Sequence, residues 1–283
     1  MIIISTIADL RTTLSAHRLA GRTIGFVPTM GALHEGHLSL VRASRKSTNI
    51  TVVSIFVNPT QFGPNEDFSK YPRTLEADSA MLEAEGADII FTPTAEEMYP
   101  ANASTSIDVG PITTIFEGEI RPGHFKGVAS VVASLFHIVQ PDRAFFGQKD
   151  LQQVAVIKQM VRDLHFPISL SIEPTIREND GLAMSSRNRY LSDAEREHSL
   201  ILYKTLQAVQ ESMKVGASVS DCTLAGKQFF KELAVTATLD YLAIVEPETF
   251  QIPESFKHSC AYGVIIAARL GTTRLIDNLL VRL

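Results

Sequence analysis

Two histidines, a lysine and a Ser-Ser-Arg run are the side chains whose types and spacing best suit work on phosphate. His34 and His37 stand three residues apart in GALHEGHLSL. Leu33, Leu38, Leu40 and Val41 recur there at helical spacing, so a helix opens near His34–His37 with both imidazoles on one face. The first amides of a helix are unpaired and its dipole is positive at that end, which suits an anion. Gly36 lacks a side chain and leaves room for a flat group between the rings, a combination that points to a nucleotide. A turn simply capped by an imidazole is the competing reading. Zinc would need further ligands at short spacing, and Cys222 and Cys260 are far off; the metalloprotease motif His-Glu-x-x-His is one residue longer than His-Glu-Gly-His.

Lys149, in FGQKD, repeats the pattern of strand, glycine turn and helix start, and offers a compact cation to phosphate oxygens. The alternative is a solvated surface lysine. Ser185-Ser186-Arg187 supplies two hydroxyls and a guanidinium in a segment whose composition otherwise reads as a mobile linker. Asn58 and Gln61 lie just past a strand, where open α/β sheets bind ligands, and suit a small polar substrate or the turn's own backbone. Either Gln152 or Gln153, at a helix start, faces that pocket. Asp78 reads as a solvated helix charge, with a metal contact as the alternative.

These groups need a scaffold. Strands at Ile2–Ser5, Thr23–Val27, Ile50–Phe56, Ala87–Phe91, Pro141–Phe146 and Ile168–Ile172 alternate with helices. The helices are Ile7–Leu19, the one opening at His34–His37, Leu75–Glu85 with Leu75, Met81 and Leu82 inward, Val128–Val139 and Leu151–Leu164. That alternation predicts an α/β fold, a doubly wound, mostly parallel Rossmann-like sheet over residues 1–176. Helices Ala194–Val215 and Ser220–Leu233, then strands Leu239–Val245, Ala261–Ala268 and Thr272–Asn278, predict a smaller C-terminal α+β lid domain over 177–283. Neither G-x-G-x-x-G nor a Walker loop occurs. With 283 residues, 45% hydrophobic, 20% charged and a net charge of −5, the expectation is a soluble cytoplasmic protein that binds neither nucleic acid nor membrane. The two cysteines are expected as reduced thiols.

PTMGALHEGHLSLV, SIFVNPTQFGPNEDFSKYPRT, RPGHFKGV, FGQKDLQQ and RENDGLAMSSRNRYLS follow in that order over most of Gly25–Ser192. Together they resemble the pantothenate synthetase family. His34-Glu-Gly-His37 is similar to the H-x-G-H signature of the nucleotidyltransferase and class I aminoacyl-tRNA synthetase superfamily, and Met184-Ser185-Ser186-Arg187 to its K-M-S-K-S-like loop. The resemblance implies joining of pantoate to β-alanine with ATP, through a pantoyl-adenylate, by a magnesium-dependent cytoplasmic homodimer. It implies ATP contacts at Met30, Gly31, Ala32, Leu33, His34, Glu35, Gly36 and His37, and again at Gly147, Gln148, Lys149 and Asp150. The Ile176 backbone, Met184, Ser185, Ser186 and Arg187 complete that set, with His34, His37 and Lys149 catalytic at the phosphates. Gln61 and Gln153 would bond pantoate, Asn58 would assist, Tyr71 would line the substrate rim and Asp78 would contact magnesium. Gln148 departs from the glutamate expected in relatives, at the edge of the ribose site. A nucleotidyltransferase with a phosphorylated acceptor is the second expectation, though neutral Asn58 and Gln61 suit it less.

Overall fold

The computed structural model describes residues 1–64, 66–234 and 236–283; Asn65, inside one quoted motif, lies outside them. The chain divides into one unit of Met1–Gln148 with Val156–Pro174 and another of Lys149–Ala155 with Thr175–Leu283.

In the first unit the order is β1 (Ile2–Ile4), α1 (Ile7–Leu19), β2 (Ile24–Thr29), α2 (Glu35–Ser47), β3 (Ile50–Ile55), α3 (Leu75–Ala84), β4 (Ile89–Phe91), α4 (Ala95–Met98), α5 (Glu117–Ile120), α6 (His124–Val139), β5 (Arg143–Gly147), the later part of α7 (Leu151–Asp163) and β6 (Ser169–Glu173). Among the described residues they form a six-stranded sheet in the order β1-β4-β3-β2-β5-β6, every pair parallel. The strand sequences explain the order. β2 and β3 are buried almost throughout and lie centrally, whereas β1 and β6 expose much of their length and lie at the edges. From β2 the chain steps to β3 and β4, then returns to place β5 on the other side of β2. The carboxyl ends of β2 and β5 therefore mark the point where the winding reverses, which is where such sheets take ligands. Val27, Leu33, Val41, Val53, Leu82, Ile90 and Phe145 fill the core beneath.

Several expectations needed correction. β2 continues through Pro28, because its pairing with β5 ends at Phe26 and the missing proline N–H costs no bond there. Leu75 is 43% exposed rather than inward, and the buried polar residue on α3 is Asp78. α6 begins at His124, four residues before the expected Val128, and the short helices α4 and α5 lie between β4 and α6.

The second unit contains the first residues of α7, then α8 (Asp193–His198), α9 (Ile201–Lys214), α10 (Val219–Leu233) and an antiparallel sheet of β7 (Ala237–Val245), β8 (Ala261–Leu270) and β9 (Thr273–Arg282). The one long helix expected over Ala194–Val215 is two. The Ser199 hydroxyl donates to the Arg196 carbonyl, and Leu202 N–H pairs with Ser199 O in a tighter turn, so the α-helical ladder is broken there. Leu206, Val209, Phe230, Ile244, Val264 and Ile266 build the core between α9, α10 and the sheet. The strand β8 is buried on both faces, and at Gly263 an added Cβ would stand 2.8 Å from Leu151 of α7.

Candidate active site

The chain leaves β2 through a left-handed turn, with φ of 81° at Gly31 and 51° at Ala32. Glycine tolerates this freely; alanine does so at a cost of roughly 1–2 kcal/mol. Asp78 supplies the restraint. Its two carboxylate oxygens accept the N–H groups of Ala32 and Leu33, each at 2.9 Å, and the Thr74 hydroxyl donates to it at 3.2 Å. At 1% exposure it is not the solvated helix charge expected from the sequence. Its environment is a ring of donors, and they belong to the turn.

His34 is the N-cap of α2. Its Nδ1 accepts the Gly36 N–H at 3.1 Å, while His37 Nδ1 accepts the His34 N–H at 3.3 Å. The rings lie 4.1 Å apart and tilted by 44°. With both Nδ1 atoms accepting from main-chain amides, a neutral ring carries its proton on Nε2, the edge turned away from the cap. The capping and ligand-binding readings are therefore compatible, since they use different nitrogens. Gly36 also makes room for the His34 ring, which a Cβ there would meet at 2.9 Å.

Beyond β3, Asn58 caps the single turn Pro59–Gln61 and is 1% exposed. Its amide donates to Gln61 Oε1 and to the Gly127 carbonyl, both at 3.2 Å, and its oxygen accepts from Tyr99 at 2.7 Å and Thr60 at 3.0 Å. Asn58 is thus spent on the protein, and what it orients is Gln61. Gln61 Nε2 stands 2.8 Å from the Met30 sulfur, a weak acceptor, so this 8%-exposed amide has donor capacity to offer a better one. Tyr71 is buried, edge-on to Phe62.

A network of Glu66, Arg121 and His124 holds the other side of this turn. Arg121 is bidentate to Glu66 at 2.7 and 2.6 Å and donates to His124 Nε2 at 3.1 Å. His124 Nδ1–H in turn donates to the Gln61 carbonyl at 2.8 Å. Burial, reinforced by the Arg121 charge, pushes the His124 imidazole down to about 4, so it is neutral at pH 7. Burial works to raise the Glu66 carboxyl, but Arg121 outweighs it and holds the group below its usual range. α6 approaches the turn so closely that a Cβ at Gly127 would stand 2.3 Å from the Thr60 carbonyl oxygen. The available signal was Arg121-x-x-His124 ahead of that glycine.

In the second unit Lys149 is half-buried and 4.0 Å from Asp150, and its carbonyl accepts from Asn278 at 2.8 Å. Gln152 is buried whereas Gln153 is half-buried, which leaves Gln153 as the reachable one. The segment after Thr175 is a bonded hairpin. Met184 N–H pairs with Ile176 O at 3.0 Å, Glu178 N–H with Leu182 O at 2.8 Å, and Arg177 bridges Ala183. Ser185 then caps the turn Ser186–Tyr190, accepting the Arg187 N–H at 3.3 Å. Within the first unit the structure brings together His34, His37 and the Asp78-held turn, and it brings Met30 to Gln61 and Asn58. Within the second, the hairpin joins Ile176 to Met184.

A profile of the pantoate-beta-alanine ligase family matches residues 2–280. The chain belongs to that family. A pantothenate synthetase of Acidobacterium capsulatum is 54% identical over 92% of this chain and 86% of its own length. The crystal structure of pantothenate synthetase from Thermus thermophilus superposes with a TM-score of 0.92 at 48% identity, covering 99% of each chain. A pantoate-beta-alanine ligase of Francisella tularensis, solved in complex with a β,γ-ATP compound and β-alanine, superposes at 0.80 with 34% identity over 99% of this chain and 97% of that one. This member of the family is therefore an enzyme with the fold of its relatives. Among the described residues no helix is long and apolar enough to cross a membrane, and no three His, Cys, Asp or Glu side chains are grouped to hold a metal ion.

Proposed function

We propose that this ligase condenses pantoate with β-alanine in two steps on ATP. The pantoate carboxylate attacks the α-phosphorus in line and pyrophosphate leaves; the β-alanine amine then attacks the acyl carbon of the pantoyl-adenylate and AMP leaves. The observation that carries the reading is the pairing of two features in the first unit: a helix start carrying two adjacent imidazoles on the Asp78-held turn, and the Gln61 amide resting on the Met30 thioether. The first suits phosphate, the second a hydroxy acid.

Charge that builds on the phosphate oxygens is met by fixed donors, the Nε2–H groups of His34 and His37 and the amides of α2. Lys149, Ser185, Ser186 and Arg187 take phosphate charge as well, and Asp150 and the Ile176 backbone take the nucleoside. Gln61 and Gln153 hold pantoate, with Asn58 orienting Gln61 and Tyr71 backing the rim. Magnesium enters as MgATP. Magnesium keeps much of its water and binds through phosphate oxygens with one or two carboxylates. Asp78 is assigned to the turn, because its oxygens are engaged by Ala32, Leu33 and Thr74. A homodimer in the cytoplasm is part of the same proposal.

Labelled pyrophosphate exchange into ATP, run with pantoate and without β-alanine, tests the adenylate step directly. Exchange that depends on pantoate supports the reading. A stable nucleotidylated product would turn it toward a nucleotidyltransferase, and no exchange at all would remove the chemistry.

A further inference from the structure

Strand β9 lies nearly a hundred residues after the Ile176–Arg187 segment and takes no direct part in the proposed chemistry. Two adjacent polar residues there are buried, Asp277 at 5% and Asn278 at 2% exposure, just after a run, Thr273–Ile276, in which buried and half-buried positions alternate. Burying such groups is costly unless they are bonded, so their partners matter. Asn278 Nδ2 donates to the Lys149 carbonyl at 2.8 Å. Asp277 takes both arms of Arg177 at 2.7 and 2.9 Å. The same guanidinium donates to the Asn278 carbonyl at 3.1 Å and to Gly181 O at 3.0 Å, and stacks 4.0 Å above the Tyr203 ring. Asp277 also accepts the Asn278 N–H at 2.7 Å, which locks the two residues together.

We infer that Asp277–Asn278 is a positioning pair that sets the Lys149 turn and the Ile176–Met184 hairpin from one strand. The inference rests on the reading that Lys149 and Ser185–Arg187 grip the nucleotide. A long lysine side chain transmits any drift of its own main chain to its ammonium. Asn278 restrains that main chain with one directed bond. Arg177 does the same for the hairpin, spending its fork on the tip of that hairpin and on β9. Neither Asp277 nor Asn278 is assigned contact with substrate; both act through other residues.

The test is a double-mutant cycle on the full-length enzyme: Asn278→Ala, Lys149→Ala and the pair. MgATP binding is measured by calorimetry, and pantoate-dependent exchange gives KM for ATP and for pantoate. Asn278→Ala should weaken MgATP about tenfold while changing KM for pantoate less than about twofold, and should have little further effect once Lys149 is alanine. Equal losses in both backgrounds, or equal rises in both KM values, would reduce Asn278 to general scaffolding and overturn the inference. Should Asn278→Ala fail to fold, Asn278→Asp keeps the size, loses the donor and carries the same expectations. If Lys149→Ala binds MgATP normally, the reading beneath falls and takes the inference with it; if Lys149→Ala is damaged and Asn278→Ala is not, the inference alone fails.

Discussion

The turn Met30–Leu33 and the hairpin Ile176–Met184 each deliver side chains suited to phosphate, but they are held by different means. The turn follows directly from a buried strand, and one carboxylate from α3, Asp78, pins it through main-chain amides. Its strain is confined to Gly31 and Ala32, and its restraint comes from one side chain 45 and 46 residues further on. The hairpin follows β6, an edge strand that is only half-buried over most of its length. It is fixed by side chains that meet across the sequence, Arg177 with Asp277, and Arg196 with Glu178 and Asp180 at 2.6 and 2.8 Å. A main-chain clamp tolerates no substitute for the acceptor, whereas a side-chain network can lose one member and keep part of its hold.

The largest effect expected is on the turn. His37→Asn keeps an acceptor for the His34 N–H and removes the Nε2 donor, so pantoate-dependent exchange should fall about 10²-fold or more with the melting temperature nearly unchanged. A large melting shift would mean the imidazole serves only the cap. Next comes acid sensitivity of the Gln61 turn. His124 sits at about 4 when folded against 6.5 when free, so between those values the unfolded chain binds one more proton. Stability contributed there is complete above pH 6.5 and is lost as pH falls toward 4, on the order of 3 kcal/mol in all. Urea melts from pH 7 to 4 should lose that slope in His124→Gln.

Asp78→Asn leaves one acceptor oxygen for two main-chain amides and should cost about 1–3 kcal/mol, read from the urea midpoint. Arg177→Lys keeps a charge opposite Asp277 but cannot reach Gly181 O and Asn278 O together. It should cost about 1 kcal/mol and raise KM for ATP modestly. If Arg177→Lys proves worse than Asp78→Asn, the contrast between clamp and network is wrong.

The same contrast explains what was legible beforehand. The parallel sheet and the start of α2 were readable because short buried strands and helical periodicity are local signals. Asp78 was read as solvated because its partners lie 45 and 46 residues away, at Leu33 and Ala32, and nothing in LEADSAMLEA announces them. The hairpin looked like a linker for the same reason: its composition is polar, and the bond that makes it rigid joins positions a hundred residues apart. The break at Ser199 falls where the polar run Asp193–His198, which buries no side chain, gives way to the amphipathic stretch from Ile201.

The short stretch Lys149–Ala155 groups with residues far downstream while the rest of α7 does not. A chain severed at 176, along the boundary its sequence suggests, would therefore carry away Leu151 without the β8 surface at Gly263 that receives it. Each half so produced would bare greasy surface made for the other, and would be expected to aggregate when expressed by itself.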